Sequence, residues 1–142
     1  NTINKINKLF LNNKNFFLDK NISNLKSLEK AEILITDNSS IVFEFMLIFK
    51  RPIIYIDYKE KIHNIDGDKI SVITIEEEFK NVFGNKLDIS NLENLIGLCE
   101  NLFNENKISS QLVDSFARKY LSNLDHSASF AADYLTNKLK SN

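Results

Sequence analysis

The residue types best suited to chemistry stand together in Thr36-Asp37-Asn38-Ser39-Ser40, a polar break between two apolar stretches, with Glu44 four residues beyond Ser40. Leu34 and Ile35 before the break read as the end of a strand, and the residues from Ile41 onward read as a helix. The first N–H groups of a helix have no partner inside it and carry the positive end of its dipole. A strand-to-helix turn of small hydroxyl residues can therefore seat a phosphate, and in open α/β sheets ligands bind beyond the carboxyl ends of the strands. Ser39 and Ser40 are the expected diphosphate contacts, with Thr36 supporting them from the strand end. Glu44 falls on the same helix face as Ser40, about one turn on, where its carboxylate can accept hydrogen bonds from both hydroxyls of a ribose. Asp37 would repel a diphosphate, so it is expected to turn away and accept backbone N–H bonds that shape the loop. No second acid stands two residues from Asp37, so metal ligation is not expected. Spacing alone favours a plainer pattern, an ordinary cap at Asn38 or Ser39 and a water-facing Glu44, because capping serines are common. Against that, a carboxylate inside an apolar run is costly to bury without partners.

The elements that must position this turn can be read on either side of it. Ile3, Ile6, Leu9 and Phe10 recur at helical spacing, so a short amphipathic helix is expected first. Phe16, Phe17 and Leu18 read as a brief strand, and Ser23 as the cap of a helix carrying Leu25 and Leu28 and ending near Lys30. Ile33 to Ile35 form a continuous apolar run, as in a parallel sheet covered on both faces. The helix after the turn runs from about Ser39 to Phe49 and stops at Arg51-Pro52. Ile53 to Ile56 make a second buried strand, so that strand, turn, helix and strand form a right-handed βαβ unit. Asp57 to Lys69 reads as a charged loop, and Ser71 to Ile75 as a further short strand. Thr74 can cap a helix through Glu76 to Phe83, with three glutamates in its favourable first turn. Ser90 begins a helix with Leu92, Leu95, Ile96 and Leu98 on its buried side. Ser109 caps another, and a last helix spans about Ser127 to Leu139. The fold class is α/β: a Rossmann-like parallel sheet flanked by helices, with a helical C-terminal third.

The chain has 142 residues, suited to a single domain spanning 1–142, and its 43% hydrophobic and 26% charged residues are ordinary for a globular protein. A formal net charge of −1 gives no general attraction to nucleic acid or anionic lipid, so any anion site must be local. The one cysteine, Cys99, excludes an internal disulfide and reads as a small buried hydrophobe. The longest apolar run, Ile41 to Phe49, is broken by Glu44 and too short for a transmembrane segment. The first residue is Asn1 rather than Met, consistent with a piece of a longer protein.

The run Ala31 to Tyr55, Ala-Glu-Ile-Leu-Ile-Thr-Asp-Asn-Ser-Ser-Ile-Val-Phe-Glu-Phe-Met-Leu-Ile-Phe-Lys-Arg-Pro-Ile-Ile-Tyr, resembles the signature of the CDP-glycerol:polyglycerophosphate glycerophosphotransferases, enzymes of teichoic acid synthesis with relatives in capsule assembly. Their pattern is a strand, Thr-Asp-Tyr-Ser-Ser, an apolar helix with an acid, Lys-Pro and a second apolar strand. Here Asn38 stands for the tyrosine, Glu44 for the usual aspartate and Arg51 for the lysine. The resemblance decides for the binding reading of Thr36, Ser39, Ser40 and Glu44 over the plainer one. A weaker match, Asn123-Leu124-Asp125-His126-Ser127-Ala128-Ser129, resembles the family's Asp-Gly-Lys-Ala-Ser stretch and offers Ser127 and Ser129 as a secondary phosphate loop. His126 there fits a surface helix cap better. His63, Lys59 and Lys61 in the charged loop read as exposed charge.

The resemblance implies the C-terminal, donor-side part of a two-domain GT-B enzyme, with the acceptor domain and a catalytic histidine in an N-terminal part not represented in the sequence. On that reading the chain alone binds nucleotide and does not turn over. The implied activity moves glycerol phosphate, or a related polyol phosphate, from a CDP-activated donor to a cell-surface polymer or lipid-linked acceptor. No cofactor beyond that donor substrate and no nucleic-acid partner are implied. The implied location is cytoplasmic or peripheral at the inner face of a bacterial membrane. Two alternatives stay open: a GT-B sugar transferase using a UDP- or CDP-sugar, and a non-catalytic interaction module.

Overall fold

A computed structural model of the chain describes residues 2–37, 39–57, 73–105 and 108–140. The chain divides into two units, Asn1–Ala31 and Glu32–Asn142.

The first unit holds α1 (Thr2–Phe10) and α2 (Leu25–Lys30). The strand expected at Phe16 to Leu18 does not form. The intervening chain is instead turned by its own polar groups: Phe16 N–H donates to the Asn13 carbonyl at 3.1 Å, and Asn15 N–H to the Asn13 side chain at 2.9 Å. Such local bonds give the backbone an alternative to a ladder, and the Phe16 ring stacks on Phe10 at 4.7 Å. Nor does Ser23 cap α2: Asn24 occupies that place, in a helical conformation and without a side-chain cap bond.

The second unit is built on three parallel strands in the order β1-β2-β3: β1 (Leu34–Thr36), β2 (Ile53–Asp57) and β3 (Gly84–Asp88). Leu34 pairs with Ile53 and Thr36 with Tyr55, so the first two strands are parallel neighbours, as their apolar runs predict. Between them α3 (Ile41–Glu44) passes with helical dihedrals at Glu44 and Phe45 into a wider π-helical stretch, Phe45–Phe49. Lys50 ends it with φ 52°, a left-handed C-terminal position usually given to glycine or asparagine, and its N–H closes on the Met46 carbonyl at 3.0 Å. Pro52 follows, and its carbonyl accepts from Leu34 N–H at 3.0 Å as pairing begins.

Cover on both faces holds for β2, where Ile53, Ile54 and Tyr55 are all buried, but not for β1. There Ile35 is 45% exposed, because β1 is an edge strand of the described sheet. The further strand expected at Ser71 to Ile75 is not seen in its described part. Ser71 and Val72 lie outside the described residues, while Ile73 and Thr74 are not in a strand and Ile75 opens α4 (Ile75–Phe83). Thr74 serves as the cap, its hydroxyl accepting from Glu77 N–H at 3.2 Å, ahead of Glu76, Glu77 and Glu78. The third strand is Gly84–Asp88, which follows α4 with no loop. Only Leu87 in it is buried, so apolar alternation gives it no signature. It exists because β2 offers a free edge, and Asn85 adds a side-chain bond to the Ile53 carbonyl at 3.1 Å.

Beyond β3 the chain is helical: a 3-10 segment (Ile89–Asn94), α5 (Leu95–Glu105), α6 (Ser110–Tyr120) and α7 (Ser127–Lys140). Ser90 does not begin the first of these. Asp88 does, accepting from Ser90 N–H at 2.7 Å, and Asn91 interrupts the helical dihedrals before α5. Of the apolar residues expected on a buried side there, Leu92 and Ile96 are exposed and Leu95 and Leu98 half-buried, because the described residues supply no full cover for that face. Ser109 holds the cap position of α6 without a side-chain cap bond. The core is aromatic. The fully buried Phe79 of α4 meets Phe43 of α3 at 4.6 Å, Phe83 at 4.8 Å and Phe116 of α6 edge-on at 5.3 Å.

Candidate functional site

The strand-turn-helix is where the site residues expected from sequence gather. Thr36 closes β1 and is half-buried, Ser39 follows in the turn, and Ser40 is exposed at the first position before α3. Ser40 already has helical dihedrals, φ −64° and ψ −14°, so its side chain cannot fold back as a cap, and no cap bond forms. Its side chain is exposed. The turn tightens through main-chain bonds, Val42 N–H to the Ser39 carbonyl at 3.4 Å and Phe43 N–H to the Ser40 carbonyl at 3.1 Å. Among the described residues the N–H groups of Ser40 and Ile41 find no main-chain acceptor. An exposed serine, and amides without a main-chain acceptor among the described residues, form at a helix start the kind of donor set that an anion can use.

Glu44 ends α3 and is exposed, so the burial cost that set it apart in the sequence is absent. What remains is its position, one helical turn from Ser40. Asp37 is exposed, and among the described residues its carboxylate accepts no N–H bond. The loop-shaping role expected of it is not seen; the turn is held by the carbonyls of Ser39 and Ser40 instead. Asn38 lies outside the described residues, as do His63, Lys59 and Lys61.

Ser127 and Ser129 lie elsewhere, in the first turn of α7, after a separate turn. That turn is shaped by left-handed Asn123 (φ 53°) and Asp125 (φ 68°), residue types that tolerate this region. Ser127 donates its hydroxyl to the Asn123 carbonyl at 2.8 Å, and Ser129 donates to the His126 carbonyl at 3.0 Å. Both hydroxyl protons are therefore spent on the turn itself. His126 sits at the helix start, its carbonyl taking the Phe130 N–H at 2.9 Å.

The structure adds residues that the spacing did not single out. Asp57, the last residue of β2, holds the Lys80 ammonium of α4 at 3.2 Å through Oδ1. The same ammonium lies 5.5 Å from the centre of the Tyr55 ring. Tyr55 is buried, and loss of solvent pushes its phenol up to about 12. Gly84 is packed so closely that a Cβ there would stand 2.6 Å from the Tyr55 ring and 2.5 Å from the Lys80 carbonyl oxygen. The only sequence signal for Asp57 is that an acid ends the run Ile53-Ile54-Tyr55-Ile56. Further along α4, the Glu78 carboxyl is held below its usual range by hydrogen bonds from Lys119, at 2.6 Å, and from the Tyr120 hydroxyl. That cluster joins α4 to α6.

Cys99, expected as a buried hydrophobe, is half-buried and lines an open groove of about 500 Å³ with Ile33, Glu100, Phe103 and Asn104. Among the described residues no group of three or more histidine, cysteine, aspartate or glutamate side chains is placed to hold a metal ion. No helix among them is long and apolar enough to cross a membrane.

A family model described as CDP-glycerol:poly(glycerophosphate) glycerophosphotransferase matches residues 3–131. No curated protein and no solved structure matches the chain.

Proposed function

The chain belongs to the CDP-glycerol:poly(glycerophosphate) glycerophosphotransferase family, which indicates a transferase of that type, and from this premise we propose that the turn before α3 binds the diphosphate of a nucleotide-activated donor. The supporting observation is the start of α3, where the Ser40 hydroxyl makes no cap bond and the adjacent amides find no main-chain acceptor among the described residues. In this reading Ser39, Ser40 and Thr36 hold the phosphates, and Glu44 accepts from the ribose hydroxyls. An acceptor hydroxyl attacks the β-phosphorus of CDP-glycerol: the new O–P bond forms, the bond from that phosphorus to the bridging oxygen breaks, CMP leaves, and the hydroxyl proton passes to a base. The α3 terminus stabilises the charge that gathers on the phosphate oxygens. The chain acts as the donor side of a GT-B enzyme, with a surface polymer or lipid-linked chain as acceptor, peripheral to the inner membrane face. Ser127 and Ser129 add a secondary phosphate contact only at the cost of the bonds that their hydroxyls give to the Asn123 and His126 carbonyls.

Calorimetric titration with CDP, UDP and pyrophosphate tests it. A charge-assisted hydrogen bond contributes roughly 1.5–3 kcal/mol, so Ser40→Ala should weaken CDP and pyrophosphate alike by about tenfold to a hundredfold. Glu44→Gln should weaken CDP while leaving pyrophosphate, which has no ribose, nearly unchanged. Unaltered CDP affinity in Ser40→Ala would sink the phosphate assignment, and tighter binding of UDP than of CDP would favour a sugar-nucleotide donor.

A further inference from the structure

A second anchor at the same edge of the sheet follows from how β2 ends. Thr36 pairs with Tyr55, so β2 runs two residues past the level at which β1 stops, and its last residue is Asp57. That carries the carboxylate roughly 6–7 Å beyond the end of β1, on the strand next to it. Side chains alternate along a strand, so Asp57 shares a face with Tyr55. Lys80 of α4 lies against both, which identifies that face as the one α4 covers. Phe43 of α3 meets Phe79 of α4, so both crossover helices pack on this side. Asp57 and the start of α3 therefore share one edge and one face of the sheet.

The Asp57 side chain is half exposed, while that of Lys80 is largely covered. A pair with one half-exposed partner contributes little to stability, but it has a geometric consequence. The ammonium fixes Oδ1 and offsets the charge of a carboxylate that would otherwise repel a neighbouring diphosphate. Among the described residues Oδ1 alone is engaged, and Oδ2 is open to a donor. A carboxylate oxygen takes hydrogen bonds and gives none, so a hydroxyl-bearing group suits it and a phosphate does not.

We propose that Asp57, oriented by Lys80, accepts a hydrogen bond from a hydroxyl of the polyol that the donor carries beyond its diphosphate, and so selects the transferred group. This rests on the diphosphate lying at the start of α3 and assigns the polyol end of the same ligand, whereas Glu44 serves the ribose.

The experiment compares CDP with CDP-glycerol in calorimetric titrations of the chain and its variants. Asp57→Ala should lower CDP-glycerol affinity by about tenfold, the scale of one hydrogen bond to a charged group, and leave CDP affinity within about twofold. Asp57→Asn, which keeps the shape and one acceptor oxygen, should lose less in the same direction and covers the case in which the alanine variant does not fold. Lys80→Met keeps the stem over Tyr55 but frees the carboxylate, and should produce a smaller loss that is again selective for CDP-glycerol. Equal losses for CDP and CDP-glycerol would overturn the proposal, giving Asp57 a purely structural role, as would no loss for either. If Ser40→Ala still weakens CDP in that event, the diphosphate site stands and only the polyol assignment falls. A wild-type chain that binds neither compound would overturn both.

Discussion

The helices α6 and α7 carry apolar residues at helical spacing in adjacent parts of the chain, yet their surroundings differ completely. In α6, Val113, Phe116 and Ala117 are buried, and Phe116 packs edge-on against both Phe79 and Phe83 of α4. In α7 no residue is buried: Phe130, Tyr134, Leu135 and Leu139 all face outward, Phe130 at 58% exposure. The periodicity of a helix states which face would gain from burial. It does not state whether another element stands opposite to receive it. For α6 the partner is α4, which the β2-to-β3 crossover presses onto the sheet.

If the aromatic cluster is what distinguishes the two helices, the largest effect comes from removing its centre. Phe79 is fully buried and touches three rings, so Phe79→Ala should cost about 3–5 kcal/mol in a chemical denaturation experiment. A loss below about 1 kcal/mol would mean that the cluster can collapse around the gap and that the contrast with α7 is shallow. Next in size is Gly84→Ala. A methyl there meets a backbone carbonyl and a buried ring at 2.5–2.6 Å, neither of which can move freely, so overpacking should cost about 1–3 kcal/mol in the same assay.

A smaller effect belongs to the polar tie between α4 and α6. Hydrogen bonds from Lys119 and then Tyr120 hold the Glu78 carboxyl below its ordinary value of 4.5. A carboxyl depressed in the folded state contributes stability that is present above its unfolded value and lost as pH falls through the folded one. Glu78→Gln should therefore lower Tm near neutral pH, and the difference from wild type should close on acidification below 4.5. Lys119 is raised by the same partners, led by Glu78, so its share is present below 10.5 and is lost only as pH climbs through the raised value. A deficit that stays constant down to low pH would show that the carboxylate charge is not what ties the helices. The smallest effect is expected in α7, where Phe130→Ala should change unfolding free energy by less than about 0.5 kcal/mol. A loss of several kilocalories there would mean that its outer face is covered in solution and that the two helices are alike.

Much of the candidate site was legible because it is local. An apolar run, a polar turn of small residues and an apolar stretch ended by Arg51-Pro52 demanded strand, turn, helix and strand, and β1, α3 and β2 stand in that arrangement. The helix bounds at Glu76 to Phe83 and near Ser127 to Leu139 were legible for the same reason, since caps and periodicity act within a few residues. Less was legible where neighbouring polar groups competed. The Asn13 and Asp19 side chains bond their own backbone, and no strand forms at Phe16 to Leu18. The π-helical turn after Glu44 and the left-handed Lys50 carry no distinctive residue type, so neither was anticipated.

The sequence by itself determined that strand, helix and strand follow one another from Leu34 to Ile56, where the polar turn between the first two lies, and which family the chain joins. These rest on short-range hydrogen bonding, capping and side-chain period, all encoded by adjacent residues. Tertiary structure alone decided that Gly84 to Asp88 would pair as a strand and that Asp57 would meet Lys80. Each of these depends on groups far apart in the chain finding one another across the β2-to-β3 crossover. Ladder pairing, coverage of a face and a salt bridge are properties of two partners, and a single segment specifies only its own half of each.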